Sequence, residues 1–231
     1  MPSTAKTLYF LSSALASAIS VIVLGISMSQ NWAETTMECA RQGEELFNGT
    51  AVLTLNLFDG IIDRVSCGNF LGHDEFEVIP QLTDVGTTQV VLHVLVLLFL
   101  ALCLLFSAVN ILISLYNSVS NPYETYMGPI GVYVCGSLST ILSVLVLIIY
   151  VVNVMATNMA EGLVENLNGS SPAHLRNITS WMGLGYYLVI LYALLSMAAI
   201  GVIYMYNNTT YKHKREQQRP TEDAPKEIMM Y

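Results

Sequence analysis

The stretch Tyr116-Asn117-Ser118-Val119-Ser120-Asn121-Pro122-Tyr123-Glu124-Thr125-Tyr126-Met127-Gly128-Pro129-Ile130-Gly131-Val132-Tyr133 separates two apolar runs, each long enough to cross a bilayer. Asn121, standing before Pro122, is steered out of the helical region, Gly128 permits a turn, and Pro129 suits the first position of a new helix. One helix stops here and another starts. Tyr116, Tyr123, Tyr126 and Tyr133 supply rings at the depth that amphipathic aromatics favour. Residues 117–129 therefore read as a short hinge lying on one membrane face.

Outward from the hinge, the composition is that of a chain whose main solvent is not water. Of 231 residues, 54% are hydrophobic and 11% charged, against roughly 25% charged in soluble domains. Four runs lack Asp, Glu, Lys and Arg: 8–28, 90–116, 130–155 and 181–206. An even number of spans puts both termini on one side. Lys6, Lys212, Lys214, Arg215, Arg219 and Lys226 lie on that side, against Arg41, Arg64 and Arg176 on the other, so the termini are expected in the cytosol. The expected order is a cytosolic N-terminus (1–7), a first span, an extracellular loop (29–89), a second span, the cytosolic hinge, a third span, a second extracellular loop (156–180), a fourth span, and a disordered cytosolic tail (207–231). The first run reads as a retained signal anchor. It is longer than the apolar part of a cleaved leader, and no Ala-x-Ala site ends it. The route implied is the secretory pathway to the plasma membrane.

The loop 29–89 is long enough to build an outer domain. Asn48-Gly49 and Asp59-Gly60 are hairpin signals, and Leu53, Leu55 and Leu57 alternate with Thr54 and Asn56 between them. The fold class predicted is an all-α membrane bundle of four transmembrane helices carrying a small antiparallel sheet in the first extracellular loop. Cys39 and Cys67 flank these strands on the side assigned to the oxidising compartment, so a disulfide is the natural reading, with two free thiols as the alternative. Asn48-Gly49-Thr50 and Asn168-Gly169-Ser170 are N-glycosylation acceptors on that side. A third, at Asn177, falls close to the last span and is expected to be unused. His73, Asp74, Glu75 and Glu77 match no calcium-loop template and read as a solvated acidic face. With ten acids and two arginines between residues 29 and 89, the loop is strongly negative.

Within the spans, small residues recur at spacings of four, among them Ser13, Ser17 and Ala14, Ala18 in the first and Gly136, Thr140 in the third. Such faces pack helices closely in lipid, here inside the bundle, with a homo-oligomer contact as the alternative. His93 reads as a hydrogen-bonded interfacial histidine. Asn110 must find a partner helix, because an unsatisfied amide is costly in lipid. Cys103 and Cys135 read as small packing residues. No span carries an acid or a base, the usual mark of a proton relay or substrate path, and no phosphate loop, His-Glu-x-x-His or Gly-x-Ser-x-Gly occurs. Catalytic residues, cofactor, metal and nucleic-acid partner are accordingly not expected. Glu124, the one acid of the hinge, is expected to face Lys212, Lys214 or Arg215. The basic part of the tail suits anionic lipid, and the terminal Met229-Met230-Tyr231 suits a PDZ-type groove in a cytosolic scaffold.

The hinge residues Pro122, Tyr123, Glu124, Thr125 and then Gly128, Pro129, Ile130, Gly131, Val132, Tyr133 resemble those of the clarins, four-span proteins distantly similar to claudins and peripheral-myelin tetraspans. Trp32 after the first span, Leu57-Phe58-Asp59-Gly60, Cys67-Gly68, His93 and a terminal tyrosine extend the resemblance from end to end. The opening residues and Arg215-Glu216-Gln217-Gln218-Arg219-Pro220 look most like the third branch of that family. Claudins place Gly-Leu-Trp before two nearby cysteines; here Asn56-Leu57-Phe58 precedes one, so a paracellular barrier role does not carry over. The resemblance implies a non-catalytic membrane organiser or adaptor. It would scaffold or traffic partner membrane proteins, link to actin, and share a family role in sensory hair cells and hearing. Claudin-like cell–cell adhesion and an auxiliary ion-channel subunit are the rival readings.

Overall fold

A computed structural model describes residues 3–41, 49–67, 70–119, 128–167 and 173–217. The chain runs α1 (Ser3–Met28), β1 (Ala33–Arg41), β2 (Gly49–Leu55), β3 (Asp59–Cys67), β4 (Phe70–Glu77), α2 (Val78–Val85), α3 (Thr87–Val119), α4 (Gly128–Met155), α5 (Met159–Leu167), β5 (Ala173–Met182) and α6 (Leu184–Gln217). The segments Thr4–Met28, Thr87–Val119, Gly128–Met155 and Leu184–Lys212 are long and apolar enough to cross a membrane. The predicted fold class is the observed one, and it fits a multi-pass membrane protein.

Each span buries a narrow stripe and turns the rest outward. On α3, Val96, Leu100, Cys103, Ser107 and Asn110 face inward at alternating steps of three and four, while Leu98, Leu105 and Leu112 are exposed. On α1 the small face is the inward one: Ser13, Ala14, Ser17 and Ser20 are buried, whereas Leu8, Leu15 and Ile22 are more than half exposed. The small residues of α1 therefore serve packing within the bundle. Around the bundle, α1 packs against α3 and α6, and α4 packs against the same two, so the four helices close into a ring.

At one end stands a five-stranded antiparallel sheet in the order β4-β3-β2-β1-β5. The expected alternation is present: Ala51, Leu53 and Leu55 of β2 are buried, and the residues between them are not. The same face continues through Ala33, Met37 and Cys39 of β1 and Ile62 of β3, across the register pairs Ala33↔Leu55 and Leu53↔Ile62. Val78 and Leu82 of α2, with Met159, Leu163 and Val164 of α5, join this face and the upper bundle in one continuous core.

The boundaries differ from expectation in three places. The Asp59-Gly60 hairpin turns earlier, over Asn56–Asp59, closed by Asn56 N–H to the Asp59 carbonyl at 2.9 Å and Asn56 Nδ2 to Asp59 Oδ2 at 2.7 Å. Gly60 instead lies in β3 opposite Phe76, where a Cβ would collide with the ring. The second loop, expected as a plain connection over 156–180, forms α5 and adds β5 beside β1. Trp181 belongs to β5, paired with Glu34, because pairing with β1 captures residues up to Met182 before α6 starts at Leu184. The expected disordered tail is helical as far as Gln217, since neither Gly nor Pro interrupts the chain between Asn207 and Gln217.

Candidate functional site

Where sheet meets bundle, the chain leaving α1 is held by a set of bonds around Trp32. Its indole Nε1–H donates to the Ser27 carbonyl (2.8 Å), its amide donates to Leu55 O (2.8 Å), and its carbonyl accepts from the Gly183 amide (2.8 Å). The Ser27 hydroxyl donates to Gly185 O (2.8 Å), and the Gly185 amide to Asn31 O (2.8 Å). The indole is fully buried and lies edge-on to Tyr150 of α4, with centroids 5.0 Å apart and an interplanar angle of 69°. A Cβ on Gly185 would stand 2.5 Å from Trp32 Cδ1 and 2.8 Å from Ser27 O. Glycine is thus required for α6 to approach this closely. A second tether comes from α3: buried His93 donates from Nε2 to the Leu57 carbonyl at 2.7 Å, which holds the β2–β3 turn against the bundle.

Deeper in the bundle, hydroxyls and amides join the helices directly. Asn110 Nδ2 donates to Ser17 Oγ (2.8 Å), linking α3 to α1. Ser107 and Tyr192 hydroxyls meet at 2.8 Å between α3 and α6, and those of Ser139 and Ser196 at 2.9 Å between α4 and α6. Asn110 thus has the helix partner expected of it, and His93 the hydrogen bond. Cys103 and Cys135 are free thiols.

On the outer face of the sheet, His73 Nδ1 lies 2.6 Å from Asp63 Oδ1. The Asp63 hydrogen bond and charge, with Glu75 and Asp74 nearby, raise the His73 pKa above its ordinary value. Arg64, on the buried face, reaches the β4 edge to pair with Asp74 at 3.1 Å. Among the described residues, no group of three or more His, Cys, Asp or Glu is arranged to hold a metal ion.

Of the expected hinge residues, Gly128 (φ 43°), Pro129, Gly131 and Tyr133 form the start of α4, with Gly128 and Gly131 buried. Pro122, Glu124 and Thr125 lie outside the described residues, as do Asn48, Asn168 and the C-terminal Met229, Met230 and Tyr231. Cys39 is buried in β1 and disulfide-bonded. The structure thus gathers Trp32, Leu57 and His93 at one junction, near the end of α4 that carries Tyr150, and leaves Gly128, Pro129, Gly131 and Tyr133 at the opposite end of that helix. The Ser27–Gly185 clasp and the whole of β5 escaped sequence reading.

Residues 4–169 match the family model described as Clarin-2-like. The chain is 32% identical to Clarin-3 of Homo sapiens over 233 aligned positions, covering 100% of both chains. It is similarly 31% identical to Clarin-3 of Mus musculus and 33% identical to Clarin-3 of Rattus norvegicus, again over the full length of each. A match to a family model over most of its length, together with relatives aligned from end to end, places this chain in the clarin family.

Proposed function

We propose that this protein is a non-catalytic membrane organiser of the plasma membrane, with the sheet outside the cell and both termini in the cytosol. It would gather or traffic partner membrane proteins through its spans and meet actin-linked scaffolds through its C-terminus. The observation that carries this reading is the filling of the bundle by its own side chains. Ser17, Asn110, Ser107, Tyr192, Ser139 and Ser196 bond to one another across helices, and the lipid-facing rows are apolar. Such a body is suited to lateral contacts rather than to moving a solute. Its sidedness is supported by the excess of Lys and Arg near the chain ends.

The same orientation puts the sheet in an oxidising compartment. Cys39 is disulfide-bonded and Cys103 and Cys135 are free, so of the four cysteines Cys67 is the partner we assign to Cys39. Nonreducing peptide mapping checks this, and recovery of both residues as alkylated thiols would refute it. Glycans at Asn48 and Asn168 belong to the same reading. The function itself is tested by quantitative proximity labelling from the C-terminus in polarised epithelial cells, comparing the intact chain with one lacking Met229, Met230 and Tyr231. Actin-linked and trafficking scaffolds that disappear on truncation support the adaptor. Neighbours that are unchanged and dominated by junction proteins would move the function to adhesion through the sheet. A role in hair cells is the family expectation that such partners would connect to.

A further inference from the structure

A cavity of about 350 Å³ lies between the end of α4, α5 and β5, lined among others by Met155, Asn158, Glu161, Ile178, Thr179 and Ser180. Met155 is the last residue of a membrane-crossing helix, so the cavity sits at the level where hydrocarbon gives way to headgroups. Its volume falls within the range of small-molecule sites. Its two sides differ in chemistry. Met155 and Ile178 offer exposed apolar surface, 55% and 39% accessible, while Asn158, Glu161, Thr179 and Ser180 are polar.

The charge is of one sign. Among the described residues, Glu161 is the single ionisable residue of the lining. An anionic lipid would meet a like charge here, whereas an ammonium group would find its counter-ion. Hydrogen-bond donors stand alongside. Ser180 shares its hydroxyl with Thr35 at 2.9 Å, and with Thr35 as the donor the Ser180 O–H hydrogen is left over for an outside acceptor. The Asn158 side-chain amide supplies further N–H groups. A group with an ammonium at one end and a phosphodiester at the other uses both sets, and its acyl chains follow Met155 and Ile178 into the membrane.

The backbone around the cavity is unusual as well. Among the described residues, the non-glycine positions with left-handed φ are Asn158 (φ 51°) and Asn177 (φ 52°). Asn158 lines the cavity, and Asn177 directly precedes the lining run Ile178, Thr179, Ser180. Both turns are made with the residue type that tolerates this region best, and departures of this kind gather at ligand sites.

We infer that this cavity is a binding site for the headgroup of a zwitterionic phospholipid, with Glu161 holding the ammonium and Asn158 and the Ser180 hydroxyl holding the phosphate. The inference rests on the membrane placement of α4 and not on the adaptor reading. The test uses the full chain purified in detergent and exposed to equal amounts of phosphatidylcholine, phosphatidylethanolamine and phosphatidylglycerol, with retained lipid read by native mass spectrometry. Retention of one or both zwitterionic lipids over phosphatidylglycerol is expected, and their ratio tells a quaternary from a primary ammonium. Glu161→Gln should lower that retention about tenfold, the scale of one charge-assisted contact. Glu165→Gln, on the same helix but outside the lining, should leave it unchanged. Equal retention of phosphatidylglycerol, or a Glu161→Gln protein that retains lipid like the parent, overturns the proposal. If Glu161→Gln is not recovered folded, competition on the unaltered protein decides. Displacement of the bound lipid by excess phosphatidylglycerol counts against the site, and resistance to it counts in favour. Free phosphocholine, which lacks acyl chains, should compete poorly; if it displaces the lipid as well as phosphatidylcholine does, the site is not a lipid site.

Discussion

Gly185 and Gly25 are both helical glycines, yet their surroundings predict opposite responses to the same substitution. At Gly185 a methyl group would press on the Trp32 ring and the Ser27 carbonyl, so Gly185→Ala should destabilise the fold by about 1–3 kcal/mol, the usual cost of overpacking. At Gly25 nothing stands within 4 Å, and Gly25→Ala should be neutral or stabilising by up to about 1 kcal/mol through helix propensity. Thermal unfolding of the two variants in detergent separates them; equal melting temperatures would contradict the clasp. His73 makes a prediction in pH. Because Asp63 raises its folded pKa, the contact contributes stability that is present below the ordinary histidine value, near 6.5, and is lost as pH rises through the raised folded value. The difference in melting temperature between the parent and His73→Gln should therefore shrink with rising pH. A gap that widens instead would mean that Asp63 is not its partner. The side chain is exposed, so the effect is small.

At the scale of elements, packing in lipid lacks the hydrophobic push that drives it in water, and polar contacts between helices matter for which faces meet. The α1–α3 pairing through Ser17 and Asn110 illustrates this. A double-mutant cycle on Ser17→Ala and Asn110→Ala should give a coupling of about 0.6 kcal/mol, and at most about 1.7. A coupling indistinguishable from zero would place the helix interface elsewhere. Sequence reading located Asn110 as a residue needing a partner, because its amide stands alone in an apolar run. It could not choose Ser17 among the serines of four helices, since spacing along one helix carries no information about the rotation of its neighbours. For β2 the reading was more complete. The alternation of Leu53 and Leu55 specifies both a strand and its buried face, and the structure keeps both, while Leu57 is buried in the turn that follows.

For the whole molecule, the decisive long-range event is the docking of β5 beside β1, which joins the second loop to the first and brings the start of α6 onto Trp32. Thr36 and Thr179 face each other there with hydroxyls 2.9 Å apart. The doubly substituted Thr36→Cys, Thr179→Cys protein should form an additional disulfide on mild oxidation, detectable by a shift on nonreducing electrophoresis after cleavage between the two positions. Absence of that link in a folded sample would remove β5 from the sheet. The amino-acid order alone was enough for four long apolar helices and an antiparallel sheet between the first two, because each is a local matter of apolar run length and alternation. The residues Ala173–Met182 carry no such local signal: with Arg176, Asn177 and Ser180 among them, they are too polar and irregular to announce a strand. Their strand character comes from the unpaired edge of β1, which supplies backbone partners that a polar loop close to the membrane would otherwise lack. The same physics governs the junction at Trp32, whose partners at Ser27, Leu55 and Gly183 become neighbours only when sheet and bundle close on one another.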